Sequence, residues 1–187
     1  ARSRPAKKLA LLHFDAHTDL LDHRLGVDLC FGSWAYHVRE FFPSADQLIQ
    51  VGIRATGKDR GHWEGLGLTQ IWATEVQQSP VTAIADKIIA AYRRAGVEEV
   101  YVSFDIDALD QKWAASTGTP EAGGLDPVAC SEIIHRVGQH FAVTGADLVE
   151  VAPFVNHSFF PNNSQESTLM TAASIARVLA RALGADA

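Results

Sequence analysis

Cysteine is scarce in this 187-residue sequence: Cys30 and Cys130 are the only two, and they lie far apart. That excludes a disulfide framework and makes a reducing cytoplasm the expected compartment. No apolar run reaches the roughly 20 residues that a membrane-spanning helix needs, so no membrane partner is expected. Positive charge is short too. Sixteen Lys and Arg against 22 Asp and Glu leave a formal charge of −6, without the basic footprint of general nucleic-acid binding. The basic stretch at 1–8 lacks the apolar core of a signal peptide and reads as a solvated lead-in to a strand. There is no internal repeat and no low-complexity segment. What remains is ordinary: 47% apolar and 20% charged residues, enough for one domain with a sizeable core.

Patterning gives the fold class. Apolar runs at 8–14, 47–53, 68–72, 99–104 and 143–151 read as strands. Helices are expected at 29–42, 81–95, 127–141 and 167–183. The spacing of Val81, Ile84, Ala85, Ile88, Ile89 and Tyr92 makes an apolar stripe, started by Ser79-Pro80 and stopped by Gly96. Strands alternating with helices predict an α/β domain, a mostly parallel sheet covered on both faces. In such sheets ligands bind beyond the carboxyl ends of the strands. Asp15, Asp105 and Glu150 all fall at or near such ends.

Two segments there carry metal-ligand chemistry. Val102-Ser103-Phe104-Asp105-Ile106-Asp107 runs from apolar residues into carboxylates spaced i, i+2, which share one face of a strand. Leu11-Leu12-His13-Phe14-Asp15-Ala16-His17-Thr18-Asp19 does the same with aspartate and histidine. Buried carboxylates are costly unless a cation neutralises them. Asp15, His17, Asp19, Asp105 and Asp107 are an oxygen-rich set with one imidazole, which suits manganese or magnesium. Four aspartates balance two divalent ions, and two such ions about 3.5–4 Å apart activate water and polarise an electrophile. His13 is expected to be a satisfied core residue pointing away from the partners of Asp15. Trp34, Trp63 and Trp113 read as packing residues, His62, His135, His140 and His157 as surface residues. Arg54 is either structural or faces a carboxylate.

These blocks, with Thr117-Gly118-Thr119-Pro120, Gly123-Gly124-Leu125, Gly52-Ile53-Arg54 and Val149-Glu150-Val151-Ala152-Pro153, resemble the ureohydrolase family of arginases and agmatinases. The Val149–Pro153 block has the agmatinase-like form. The resemblance implies a three-layer α/β fold over 1–187, two manganese ions, and a metal-bridging hydroxide that attacks a guanidinium carbon and releases urea and an amine. It implies that Asp15 and Asp105 bridge both ions, that Asp19 binds one, and that His17 and Asp107 bind the other. Glu150 would anchor the guanidinium of an agmatine-like substrate, and Thr119 would lie near that end of the pocket unless it is a turn residue beside Pro120. A homo-oligomer, trimer or hexamer, is implied as well.

Two departures accompany the resemblance. The family carries a further ligand histidine in a Gly-Gly-Asp-His block upstream, and the fourteen residues before Asp15 contain no such block. The sequence is therefore expected to lack the family's N-terminal strands, and the ion at Asp19 its usual imidazole. Many members also place a proton-shuttling histidine before a Gly-Ser or Gly-Thr pair. Here Phe31 precedes Gly32-Ser33, and phenylalanine transfers no proton. His23 and His37 read as surface or helix-packing residues. The competing expectation is a non-catalytic metal-binding or structural member of the same fold.

Overall fold

Five apolar runs pair side by side in parallel: β1 (Leu9–Phe14), β2 (Leu48–Ile53), β3 (Thr69–Trp72), β4 (Glu99–Asp105) and β5 (Ala142–Val149). Their order is β3-β2-β1-β4-β5, so β1 and β4 are central and their apolar runs are buried on both faces. The structure is a computed structural model and describes residues 8–154 and 164–185.

The helices are α1 (Trp34–Val38), α2 (Arg60–Glu64), α3 (Ala73–Gln78), α4 (Val81–Arg94), α5 (Pro127–Gly138) and α6 (Ser164–Ala182). On one face, Leu12 and Phe14 of β1 and Val102 and Phe104 of β4 join Ile88 and Tyr92 of α4, Ile133 of α5 and Ile175 of α6 in one core. Burying each such side chain contributes roughly 1.5–3 kcal/mol. The Tyr92 hydroxyl is not left orphaned: it donates to the Leu11 carbonyl at 3.1 Å. The other face is covered more thinly, by Trp34 and Ala35 of α1 and Trp63 of α2 over Leu11 and Leu48. The fold is therefore the expected three layers.

Local signals behave as their chemistry requires. Asp126 accepts the Val128 N–H at 2.7 Å and caps α5, with Pro127 in the first turn. Gly96, at φ +68°, turns the chain out of α4.

Boundaries moved where tertiary demands won. The helix expected at 29–42 is reduced to α1 and a 3-10 turn at Arg39–Phe41. Residues 28–33 instead wrap around Ser33, whose Oγ accepts the Cys30 N–H at 2.9 Å and donates to the Asp28 carbonyl at 2.6 Å. β5 stops at Val149 because Glu150 takes φ +59° and leaves the sheet. Helices α2 and α3, five and six residues long, were not expected, being too short to show an apolar stripe.

Candidate metal centre and its cavity

Period-two alternation decides which side chains meet. In β1 and β4, the residues with Leu12, Phe14, Val102 and Phe104 face the large core. Those between them, His13 and Ser103, and then Asp15 and Asp105, fall on the other face. There β1 and β4 run in register, His13 beside Ser103. The two acidic segments thus arrive together at the carboxyl ends of adjacent strands.

Backbone amides pin the carboxylates. Asp15 Oδ1 accepts the His17 N–H at 2.7 Å, Asp107 Oδ1 accepts the Ala16 N–H at 3.1 Å, and Asp105 Oδ1 accepts the Asp107 N–H at 2.9 Å. His17 Nδ1 lies 3.0 Å from Asp107 Oδ2 and 3.5 Å from Asp15 Oδ1. Ligand-type atoms of Asp15, His17 and Asp107 converge within 4.8 Å, and so do those of His13, Asp15 and Asp19. Asp15, Asp105 and Asp107 are buried, while Asp19 and His17 are half-buried.

Electrostatics mark this as one coupled cluster. Burial, then the charges of Asp107 and Asp15, push the Asp105 carboxyl up to about 10. Burial and the Asp15 charge raise Asp19 to about 7. Asp107 is raised by burial against the His17 hydrogen bond. Burial acts the same way on Asp15, but hydrogen bonds from His13 and His17 outweigh it and hold Asp15 well below the ordinary carboxylate range. Hydrogen bonds to Asp107 and then Asp15 push His17 up to about 10. Packed acids that resist shared ionisation are what a divalent cation relieves. The donor set is hard oxygen with imidazole, so these residues fit such an ion.

Asp15 and Asp105, with His17, Asp19, Asp107, Thr119 and Glu150, line one cavity of about 430 Å³. All seven residues singled out from the sequence are therefore brought together. Thr119 donates to Asp107 Oδ2 at 3.1 Å, so it is more than a turn residue. The Glu150 carboxylate lies against Gly118, where an added Cβ would sit 3.4 Å from Oε2. Asp19 and Glu150 both have positive φ, at +52° and +59°. Non-glycine residues held there are strained, and such strain collects at functional sites.

His13 corrects the sequence reading. It is a buried residue with partners, but it points toward Asp15, its Nε2 2.9 Å from Asp15 Oδ2, because residues two apart on a strand share a face. It belongs to a polar row in register across all five strands: Gln70, Gln50, His13, Ser103, Asp147. Gln70 Nε2 donates to Gln50 Oε1 at 2.8 Å, and Gln50 Nε2 donates to the Thr18 carbonyl at 2.6 Å and lies 3.1 Å from His13 Nδ1. With the amide so oriented, His13 Nδ1 accepts and Nε2 carries the proton that Asp15 receives. Burial lowers the His13 pKa, the bond to Asp15 outweighs it, and the net shift is upward. The Gln50 N–H facing Nδ1 opposes the doubly protonated ring.

Other residues find their places. Arg54 is structural: its guanidinium donates to six carbonyls, of Gly52, Asp107, Ala108, Leu109, Glu121 and Ala122. Trp34 packs on β1, as expected, and its Nε1 also donates to Asp19 Oδ2 at 2.7 Å. Phe31 lines the cavity and is 61% exposed. His37 bonds the Asp22 and Asp28 carbonyls and His23 pairs with Asp22, and neither lines the cavity. His157 lies outside the described residues. Among the described residues no helix is long and apolar enough to cross a membrane.

The sequence pattern of the arginase family matches residues 1–181. The chain belongs to the arginase family. It is 36% identical over 150 residues to a guanidinobutyrase of Pseudomonas aeruginosa, covering 78% of this chain and 46% of that protein. It is 37% identical over 171 residues to an agmatinase of Chromobacterium violaceum, covering 91% of this chain and 48% of that one. Among solved structures, proclavaminate amidino hydrolase of Streptomyces clavuligerus superposes with a TM-score of 0.74 at 28% identity, over 95% of this chain and 57% of that one. Arginase of Bacillus caldovelox, at 18% identity and a TM-score of 0.70 over 96% of this chain and 61% of that one, shares the fold. The chain spans about half the length of the relatives it matches.

Proposed function

We propose that this arginase-family chain forms a single domain over residues 1–187 that hydrolyses a linear guanidino compound to urea and an amine, using two manganese ions. The observation that carries the reading is the convergence of Asp15, His17 and Asp107 with Asp19, Asp105 and Glu150 in one cavity. Asp15 and Asp105 would hold both ions, Asp19 one of them, and His17 with Asp107 the other. Bound manganese supplies Lewis acidity and an activated water.

The chain's own residues supply the rest. Glu150 receives the guanidinium in a charge-assisted, planar contact that presents its carbon toward the cluster. Thr119 holds Asp107 in place through its hydroxyl. In the net reaction the oxygen of one water ends on the guanidinium carbon, the bond to the alkyl nitrogen breaks, and the amine leaves with a proton. The agmatinase and guanidinobutyrase among the relatives support a guanidino substrate, and the Val149–Pro153 block favours an agmatine-like one. A trimer or hexamer in the cytoplasm completes the proposal.

Urea release from a panel of guanidino compounds by the manganese-loaded protein tests this. Turnover of one member is expected, and silence across the panel overturns it. Phe31 favours a second reading, a non-catalytic metal-binding member, because an aromatic ring occupies the cavity wall where a proton carrier would serve. Two ions bound per chain together with urea release discriminate against it; metal binding without turnover supports it.

A further inference from the structure

The acid cluster has a second imidazole beside it. Ligand-type atoms of His13, Asp15 and Asp19 lie within 4.8 Å of one another. The same three residues line a second cavity, of about 250 Å³. Proximity alone would make His13 a metal ligand. Which of its ring nitrogens carries the proton decides otherwise, and that is set by the strands behind it.

The direction of the hydrogen bonds is fixed at both ends. An indole N–H only donates, and Trp72 Nε1 donates to Gln70 Oε1 at 2.9 Å. Gln70 then has its amide nitrogen to pass on, and gives it to Gln50 Oε1 at 2.8 Å. Gln50 in turn gives its nitrogen to the Thr18 carbonyl at 2.6 Å and to His13 Nδ1 at 3.1 Å. A carbonyl only accepts. Reversing Gln50 would set its oxygen against the Thr18 oxygen and its nitrogen against that of Gln70. Gln70, Gln50 and His13 are all buried, so a reversal would leave polar groups unpaired in the core. His13 Nδ1 therefore accepts and Nε2 carries the proton, and a protonated nitrogen has no lone pair for an ion.

That N–H meets Asp15 Oδ2 at 2.9 Å, while Asp15 Oδ1 accepts the His17 N–H at 2.7 Å. Each carboxylate oxygen spends one lone pair on the chain and keeps another for an ion. The His13 ring also packs edge-on against Trp34, with centres 4.7 Å and planes 67° apart, and Trp34 Nε1 donates to Asp19 Oδ2 at 2.7 Å. Two packed rings thus each give one N–H to one acid of the cluster. We infer that His13 and Gln50 are positioning residues for the metal centre: Gln50 fixes His13 as the donor that orients Asp15, and so keeps this imidazole out of the ligand set. This rests on the proposed metal centre, although Gln50 lines neither cavity.

Nitrogen-15 NMR of the His13 ring in the metal-free protein, assigned by its loss in H13Q, tests the direction. A bare Nδ1 and a protonated Nε2 are expected; a protonated Nδ1 overturns the inference. Manganese affinity, measured by competition with a chelator, tests the role. H13Q keeps an N–H for Asp15 and should bind within about threefold of the wild type, while H13L should bind about 10–100-fold more weakly, the range for partners that orient a ligand. An H13Q as weak as H13L makes His13 a ligand and overturns the inference. Q50L should mix the two tautomers in the metal-free spectrum and weaken manganese binding by up to about tenfold; an unchanged spectrum with unchanged affinity overturns the part given to Gln50. Should H13L and Q50L not fold, the wild-type spectrum and H13Q decide between them, because a ligand histidine predicts a loss of about tenfold or more in H13Q. If the wild type binds no manganese, the metal-centre reading fails and this one with it, whereas manganese binding with a protonated Nδ1 overturns this one alone.

Discussion

Of the segments that bring charge to the cavity, the loops after β1 and β4 are held by opposite means. The loop after β4, residues 106–126, is wired. Five of the six carbonyls that Arg54 binds belong to it, Asp110 Oδ2 accepts the N–H groups of Gly123 and Gly124, and Gln77 Nε2 donates to the carbonyls of both glycines. The loop after β1, residues 15–33, is more exposed and held mainly by its own backbone: Leu21 N–H meets the Gly32 carbonyl, Arg24 and Val27 exchange backbone bonds, and His37 bonds the Asp22 and Asp28 carbonyls. Trp34 bonds Asp19 and Ser33 gathers residues 28–30, while Leu25, Leu29 and Phe31 are largely exposed. The wired loop carries Asp107 and Thr119, where ångström-scale placement matters for ligating an ion. The open loop carries Arg24 and Phe31, whose side chains line the cavity while largely exposed.

The largest effect should come from the wired side. Asp107→Asn removes a proposed metal ligand and leaves His17 without its nearest carboxylate. Urea release should fall at least about 10³-fold, about 4 kcal/mol of transition-state stabilisation, and a loss under tenfold would break the comparison. The same cluster predicts proton release on metal uptake. His17 and Asp105, each pushed up to about 10, carry protons at pH 7.5 and must surrender them to ligate. Manganese titrations in buffers of different ionisation enthalpy should therefore show net proton release, and heats independent of buffer would refute it.

Next in size is the wiring itself. Arg54→Met orphans buried carbonyls, and Gly124→Ala drives a Cβ into the backbone of Leu109 and Asp110. Each should cost about 3 kcal/mol, lowering Tm by about 6–12 °C in a chain of this size. Arg24→Ala, on the open loop, should stay within about 0.5 kcal/mol. Equal melting shifts for the two arginines would erase the distinction.

What the sequence disclosed follows the same division. β1 and β4 were legible because central parallel strands are continuous apolar runs, and the i, i+2 acids because a strand's period is two. Glu150 and Thr119 came from motif resemblance. Arg54 stayed open between two roles, because six carbonyl partners spread over residues 52–122 leave no local pattern. The direction of His13 was misread although its spacing of two from Asp15 sets both on one face, while the polar row it joins could not be read, because inter-strand register is not written in any one segment. In the open loop, Leu29 and Phe31 passed for a helix face, since exposed apolar residues, one of them lining a cavity, look in sequence like apolar residues that pack.

A smaller effect should come from Trp34, which follows the open loop and ties back to its Asp19. Trp34→Phe keeps the ring packed on β1 but deletes the N–H that Asp19 Oδ2 receives. Partners that orient a ligand are worth about 10–100-fold in metal affinity, and the low end applies because Asp19 stays half-buried on an open loop. Manganese affinity should drop about tenfold with Tm nearly unchanged. A fall in Tm without a change in affinity would make Trp34 a packing residue only.

The smallest effect is the sharpest contrast with Gly124. Gly32 lies on the open loop, and a Cβ added there would meet Leu21 Cδ1 at 3.6 Å and Arg24 Nη1 at 4.0 Å. Both are ordinary van der Waals contacts, made to the ends of flexible side chains. Gly32→Ala should shift stability by less than about 0.5 kcal/mol, or about 2 °C in Tm. If Gly32→Ala instead melts the protein as far as Gly124→Ala does, the loop after β1 is packed as tightly as the loop after β4, and the contrast between the two loops fails.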